Sequence, residues 1–209
     1  MVQTGMYALT GESSWAGVWS NLFSSVQTSG YEVGQKVAIK VNLNNSVPNG
    51  GCSASGNYID ALPQPVNGLL TGLTTAGVAE DDIWIYDATV IGRSIPYRFY
   101  DPIHTAFPGV HFYGKDDCEW TEGCSHGGYT DLAISFSDSR LNDPPLRQLT
   151  DLLHEITYLI NMPILKRHGI SPVTLGFKNH LGSINNIIRA GSNNIHNFIS
   201  PSASEYSQY

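Results

Sequence analysis

At 209 residues, with 14% of side chains charged and a formal net charge of −7, the chain is long enough for one sizeable core and too acidic to take nucleic acid as its main partner. Its 41% hydrophobic content and mean hydropathy of −0.14 are ordinary for a globular protein. The longest apolar run, 158–165, is broken by Asn161 and Pro163 and falls far short of the roughly 20 residues of a membrane span, so no transmembrane segment is expected.

Charged residues are scarce against a typical share of about 25%, and Asn, Ser, Thr, Gly and Tyr stand in their place. That surface chemistry points to an extracytoplasmic or secreted protein, although the N-terminal residues show no basic start followed by an apolar block. Cys52, Cys118 and Cys124 form no C-x-x-C pair, which argues against a zinc ribbon or ferredoxin-type cluster. Cys118 and Cys124 are close enough in the chain to close a small disulfide loop, with two free thiols as the alternative. His126, beside Cys124, is the one weak metal candidate, and the metal, if any, is left unknown.

In chain order, Trp15, Val18, Trp19, Leu22, Phe23 and Val26 recur at helical spacing, with Ser13 or Ser14 to cap the start and Gly30 to stop the run. Residues 36–44 alternate as a strand, and a Gly-rich polar loop follows. A helix with prolines at its start is expected over 62–77, a strand over 83–88, a helix over 95–106 and a strand over 110–114. Strands and helices alternating at this spacing predict a mainly parallel sheet in a Rossmann-like three-layer α/β arrangement. An irregular, acidic, Cys-bearing excursion occupies 115–130, and 131–137 reads as an edge strand. Leu146, Leu149, Leu152 and Leu153 suggest a short helix before the strand at 158–165. That strand is expected to end in Lys166, Arg167 and His168, ahead of a helix starting near 172–174.

Open parallel sheets bind ligands at the carboxyl ends of their strands. The first strand delivers Lys40 and Asn42 there, the organising strand Lys166 and His168, and the following helix Lys178, Asn179 and His180. Lysines near a helix start suit a carboxylate or phosphate, and histidines beside them can move a proton. Lys40, Asn42, Lys166, Lys178 and Asn179 are therefore the candidate ligand-binding residues, and His168 and His180 the candidate catalytic ones. Each taken singly has a bland reading: Lys40 as a solvent-facing strand residue, His168 as a turn residue, Lys178 and His180 as an exposed helical face. The sequence contains no G-x-S-x-G, P-loop or G-x-G-x-x-G motif.

Lys40 and Asn42 in the first strand, Lys166 and His168, then Val173, Thr174, Lys178, Asn179 and Gly182, resemble the motifs of the family known as domain of unknown function 362, over roughly residues 35–185. The resemblance implies an α/β protein of unassigned activity; some members carry iron–sulfur ferredoxin modules and some are exported. The ferredoxin cysteines are missing here, so no cofactor is carried over. The family domain continues past the point matching Tyr209. Residues 1–209 thus read as a single α/β domain, either a C-terminally incomplete family domain or a short member. The functional expectation is a protein with a Lys/His-rich site that binds a small anionic ligand or a metal-bearing cofactor, its reaction left open. The alternative is an extracytoplasmic structural subunit that self-associates through its Trp15, Trp19 and Phe23 face.

Overall fold

The computed structural model describes residues 1–43, 60–87, 95–114, 129–135, 147–167, 173–174 and 176–184. The Cys118–Cys124 pairing, His168, His126 and the Cys-bearing excursion up to residue 128 lie outside them.

Four strands, β1 (Lys36–Lys40), β2 (Ile83–Asp87), β3 (His111–Gly114) and β6 (Ile156–Asn161), form one sheet in the order β3-β2-β1-β6, every pairing parallel. The α/β expectation is met. Between β1 and β2 runs α3 (Pro63–Thr75), and between β2 and β3 runs α4 (Tyr97–His104). Two prolines open α3, where the first-turn N–H groups have no intrahelical partner to lose. Ahead of them stand α1 (Val2–Thr10) and α2 (Trp15–Val26), the latter capped by the Ser14 hydroxyl accepting from the Gly17 N–H.

The register separates the two faces of the sheet. Val37, Ile39, Ile83, Ile85, Phe112 and Tyr158 point to one side, where α2, α3 and α4 supply Trp15, Trp19, Phe23, Leu70, Leu73, Phe99 and Ile103. This is the main core. Trp15, Trp19 and Phe23 are spent inside it, the Phe23 ring tilted against Tyr158 with centroids 4.5 Å apart, so the face expected to serve self-association is buried within the chain. The other side carries Ala38, Lys40, Trp84, Tyr86 and Tyr113. Among the described residues, that side is covered by thinner material, the single turn α5 (Leu152–Glu155) and a 3-10 segment (His180–Ser183).

Several elements depart from the sequence expectations. The strand read over 158–165 ends at Asn161, because Pro163 has no N–H for a ladder. Lys166–Arg167 (β7) instead pair antiparallel with Val173–Thr174 (β8), so the expected helix start is a strand, as β-branched Val and Thr favour. The helix bearing Lys178 shrinks to one turn, α6 (Gly176–Asn179), too short to build an appreciable dipole. Leu149 belongs to β5 (Arg147–Thr150) rather than a helix. Its antiparallel partner β4 (Tyr129–Ile134), expected at the edge of the main sheet, forms a separate two-stranded sheet with it.

Gly72 marks how closely α2 and α3 approach. A Cβ there would sit 2.6 Å from Trp15 Cε3 and 2.7 Å from Trp19 Nε1. Alanine in a helix interior normally stabilises relative to glycine. Gly72→Ala is expected to do the reverse, lowering unfolding free energy by about 1–3 kcal/mol in urea melts; an unchanged or higher stability would mean the two indoles are free to move aside.

Candidate functional site

The sheet runs β1 to β2 to β3 in one direction, and then β6 joins on the opposite side of β1. Loops leaving the carboxyl ends of β1 and β6 therefore part in opposite directions and leave a crevice, the position where open α/β sheets take ligands. Five of the seven sequence-predicted residues are tied by contacts to this point.

Lys40 ends β1 and is 1% exposed. Its ammonium donates to Asp87 Oδ1 at 2.9 Å and to the Val41 carbonyl, and lies 5.6 Å from the centre of the Tyr86 ring. Asp87 is fully buried, and its second oxygen accepts from the Leu43 N–H at 2.8 Å. One carboxylate thus neutralises the lysine and fixes the tail of β1 beyond the last ladder bond. Gly182 packs directly on this pair: a Cβ there would collide with Asp87 Oδ1 and Lys40 Nζ. The reading of Lys40 as a solvent-facing residue is overturned by this cover.

The Lys40 carbonyl accepts twice, from the Met162 N–H at 2.9 Å and from Asn179 Nδ2 at 3.1 Å. Asn179 Nδ2 also donates to Asn161 Oδ1 at 2.8 Å, while Asn161 Nδ2 donates to the Gly176 carbonyl at 2.9 Å. Two acceptors on the same nitrogen fix which way the Asn179 amide faces. Its oxygen, in a residue only 3% exposed, is left buried with no hydrogen-bond partner among the described residues. A buried acceptor without a donor costs about 1–3 kcal/mol, and such groups call for an explanation.

Lys166, half-buried, reaches across the crevice and donates to Asn42 Oδ1 at 3.3 Å. Asn42 holds the other wall too, its carbonyl accepting from the Ala61 N–H at 2.8 Å. Lys178 is half-buried on the turn that delivers Asn179. His180 follows; partial burial, and then the Lys40 charge, hold its pKa below the ordinary 6.5. It is therefore neutral near pH 7 and able to accept a proton. Beside it Ser183 Oγ and Tyr86 OH share a hydrogen bond of 2.9 Å, and burial pushes the Tyr86 phenol far above its usual range.

Next to this polar cluster lies a cavity of about 480 Å³ bounded by Asp60, Ala61, Leu62 and Pro65 on one side and Met162, Pro163 and Ile164 on the other. Among the described residues, no group of three His, Cys, Asp or Glu side chains is arranged to hold a metal ion. No helix of the described residues is long and apolar enough to cross a membrane.

Asn161 and Asp87 are the site residues that spacing arguments undervalue. Asn161 does leave a signal, as a lone amide inside an otherwise apolar run. Asp87 closes a β-strand whose other residues are all apolar or aromatic.

Residues 134–204 match the family model described as domain of unknown function (DUF362). The match covers Lys166, Lys178, Asn179, His180 and Gly182 and begins after β1, β2 and β3, so the likeness is carried by the C-terminal part of the chain. No curated protein and no solved structure matches.

Two outcomes follow from this geometry. Asp87→Ala is expected to cost about 3–5 kcal/mol, because it strands a buried ammonium, whereas the double variant Lys40→Met/Asp87→Asn is expected to be more stable than Asp87→Ala alone. A single-variant loss below about 0.5 kcal/mol in denaturant titration would show the pair to be solvated. For His180, the folded protein binds its proton less readily than the unfolded chain does. Stability is then complete above the unfolded value of 6.5 and declines as pH falls through and below it. Urea midpoints of the native chain should drop between pH 7.5 and pH 5.5 more than those of His180→Asn; parallel drops would assign the effect to other groups.

Proposed function

We propose that this protein binds a small anionic ligand in the crevice between the carboxyl ends of β1 and β6, with Lys166 and Lys178 supplying the positive charge. The observation that carries this reading is the meeting of Lys166 with Asn42 at the point where the strand order reverses, 124 residues apart in the chain. On a chain of net charge −7, a cation held at such a place is a local attraction for a carboxylate or phosphate.

Within this reading Lys40 is a positioning residue. Neutralised by Asp87 and sealed under Gly182, it acts through the segment that carries Asn179 and through its field on His180. The unpartnered Asn179 oxygen suits a ligand that brings a hydroxyl or N–H donor along with its negative charge. If the ligand is turned over, His180 is the group to take the proton, with His168 as the second candidate. A metal-bearing cofactor would have to bring its own anionic groups to the same lysines. The low charge and the abundance of Asn, Ser and Tyr support an extracytoplasmic setting.

Titration of the full chain with inorganic phosphate and with acetate, followed by amide chemical shifts, tests the reading. Lys166→Met and Lys178→Met are each expected to weaken binding about tenfold, the worth of one charge-assisted hydrogen bond, with melting temperatures of the ligand-free proteins nearly unchanged. A large fall in melting temperature, or binding that ignores both substitutions, would make these lysines structural.

A further inference from the structure

Building on the anion-binding reading, we infer that the ligand is an amphipathic organic anion: one carboxylate or phosphate head at Lys166 and an aliphatic or aromatic body seated in the cavity beside it. The cavity and the lysine are parts of one construction. Ala61 in its wall hangs from the carbonyl of Asn42, whose side-chain oxygen accepts from Lys166. Met162 in the opposite wall hangs from the carbonyl of Lys40 at 2.9 Å. The head site and the body site therefore share the last residues of β1 as a common floor.

The lining is what a hydrocarbon body needs. Ala61, Leu62, Pro65, Met162, Pro163 and Ile164 offer apolar surface around about 480 Å³, within the range of small-molecule sites. Two of the chain's exposed large apolar side chains stand here, Leu62 in the wall at 64% exposed and Leu165, next to Ile164, at 74%. Such surface is left in water at a cost that a bound apolar group would remove.

Charge orients the ligand. Asp60 also lines the cavity and is buried, with its carboxylate accepting from Arg98 at 3.2 Å. A second carboxylate is unwelcome inside a cavity lined by Asp60, so the anionic head belongs at Lys166, outside that lining, and the body within it.

The test uses the full chain and a series of sodium carboxylates, acetate, butanoate and hexanoate, with 1-hexanol as the uncharged control, in titrations followed by amide chemical shifts. Affinity is expected to rise about fourfold per added methylene. Leu62→Asn should flatten that rise. It is expected to fold, since Leu62 is exposed and sits at the N-cap of α3, where asparagine is favoured. Lys166→Met should weaken all three carboxylates by a similar factor and leave hexanol unaffected. Equal binding of acetate and hexanoate, both weakened by Lys166→Met, would overturn the apolar body and leave the anion site standing. Hexanol binding as tightly as hexanoate would remove the anionic head, and with it the anion-binding reading. Failure of every probe to bind would overturn both.

Discussion

The ion pair between Lys40 and Asp87 is the constraint on which the rest of this structure hangs. Two charges without solvent are costly, and their mutual attraction offsets that cost only when both are also hydrogen-bonded. Here they are. The ammonium reaches the Val41 carbonyl as well as the carboxylate, and the carboxylate holds the Leu43 N–H with its other oxygen. The pair therefore bonds β1 to β2 beyond the last ladder contact and carries the backbone of 41–43 in a defined course. A lid without side chains is needed to exclude water from it, and Gly182 is that lid. A single glycine in the C-terminal segment thus answers to a lysine in the first strand.

From this follows the arrangement at the crevice. With β1 held through its tail, the Lys40 carbonyl takes the closing bond of the β1–β6 pairing from the Met162 N–H and also anchors Asn179. The chain leaving β6 and the turn bearing Lys178 and His180 are then referenced to one atom. A site assembled from loops around a shared backbone oxygen can be rigid although few of its residues lie in regular elements. Hydrogen bonds through Asn161 and Asn179 supply that rigidity, since an amide can donate and accept in fixed directions where a charged side chain cannot.

Much of the scaffold was legible in the sequence because its elements follow a single period. The strand expected over 36–44 survives as Lys36–Lys40 and the helical spacing of α2 survives as well, and their order implied a parallel sheet. Periodicity does not say what will cover a face, which is why Lys40 could be read as exposed: its side of the sheet is covered by residues some 140 positions later. It also fails where a local preference is overruled. The leucine spacing around 146–153 is helical, yet Leu149 lies in β5 beside Ile184, a contact no local pattern announces. The N-terminal helix escaped notice because its buried partners are on α2 and α3 and its own residues are only partly covered. Of the site, Lys166, Asn179 and His180 could be named from their motif and Asp87 from its place at a strand's carboxyl end, but Asn161, which helps to set their geometry, reads as a strand residue.

The two faces of the sheet divide stability and chemistry between them. Aromatic and aliphatic side chains from three helices make the thicker side among the described residues, where the Trp19 indole N–H, Asn67 Oδ1 and His104 Nδ1 are buried polar atoms that find no partner. The thinner side contains the charges, the phenol of Tyr86 and the imidazole of His180. If Lys40 and Asp87 were both replaced by apolar residues of similar size, general experience with buried pairs says that the fold would hold. His180 would then lose the lesser of the two causes that lower its pKa, while its partial burial, the larger one, would still hold it below the ordinary value. Retaining a costly pair where a hydrophobic one would serve makes physical sense if its bonds to the Val41 carbonyl and the Leu43 N–H, which set the course of 41–43 into the site, matter more than the last increment of stability.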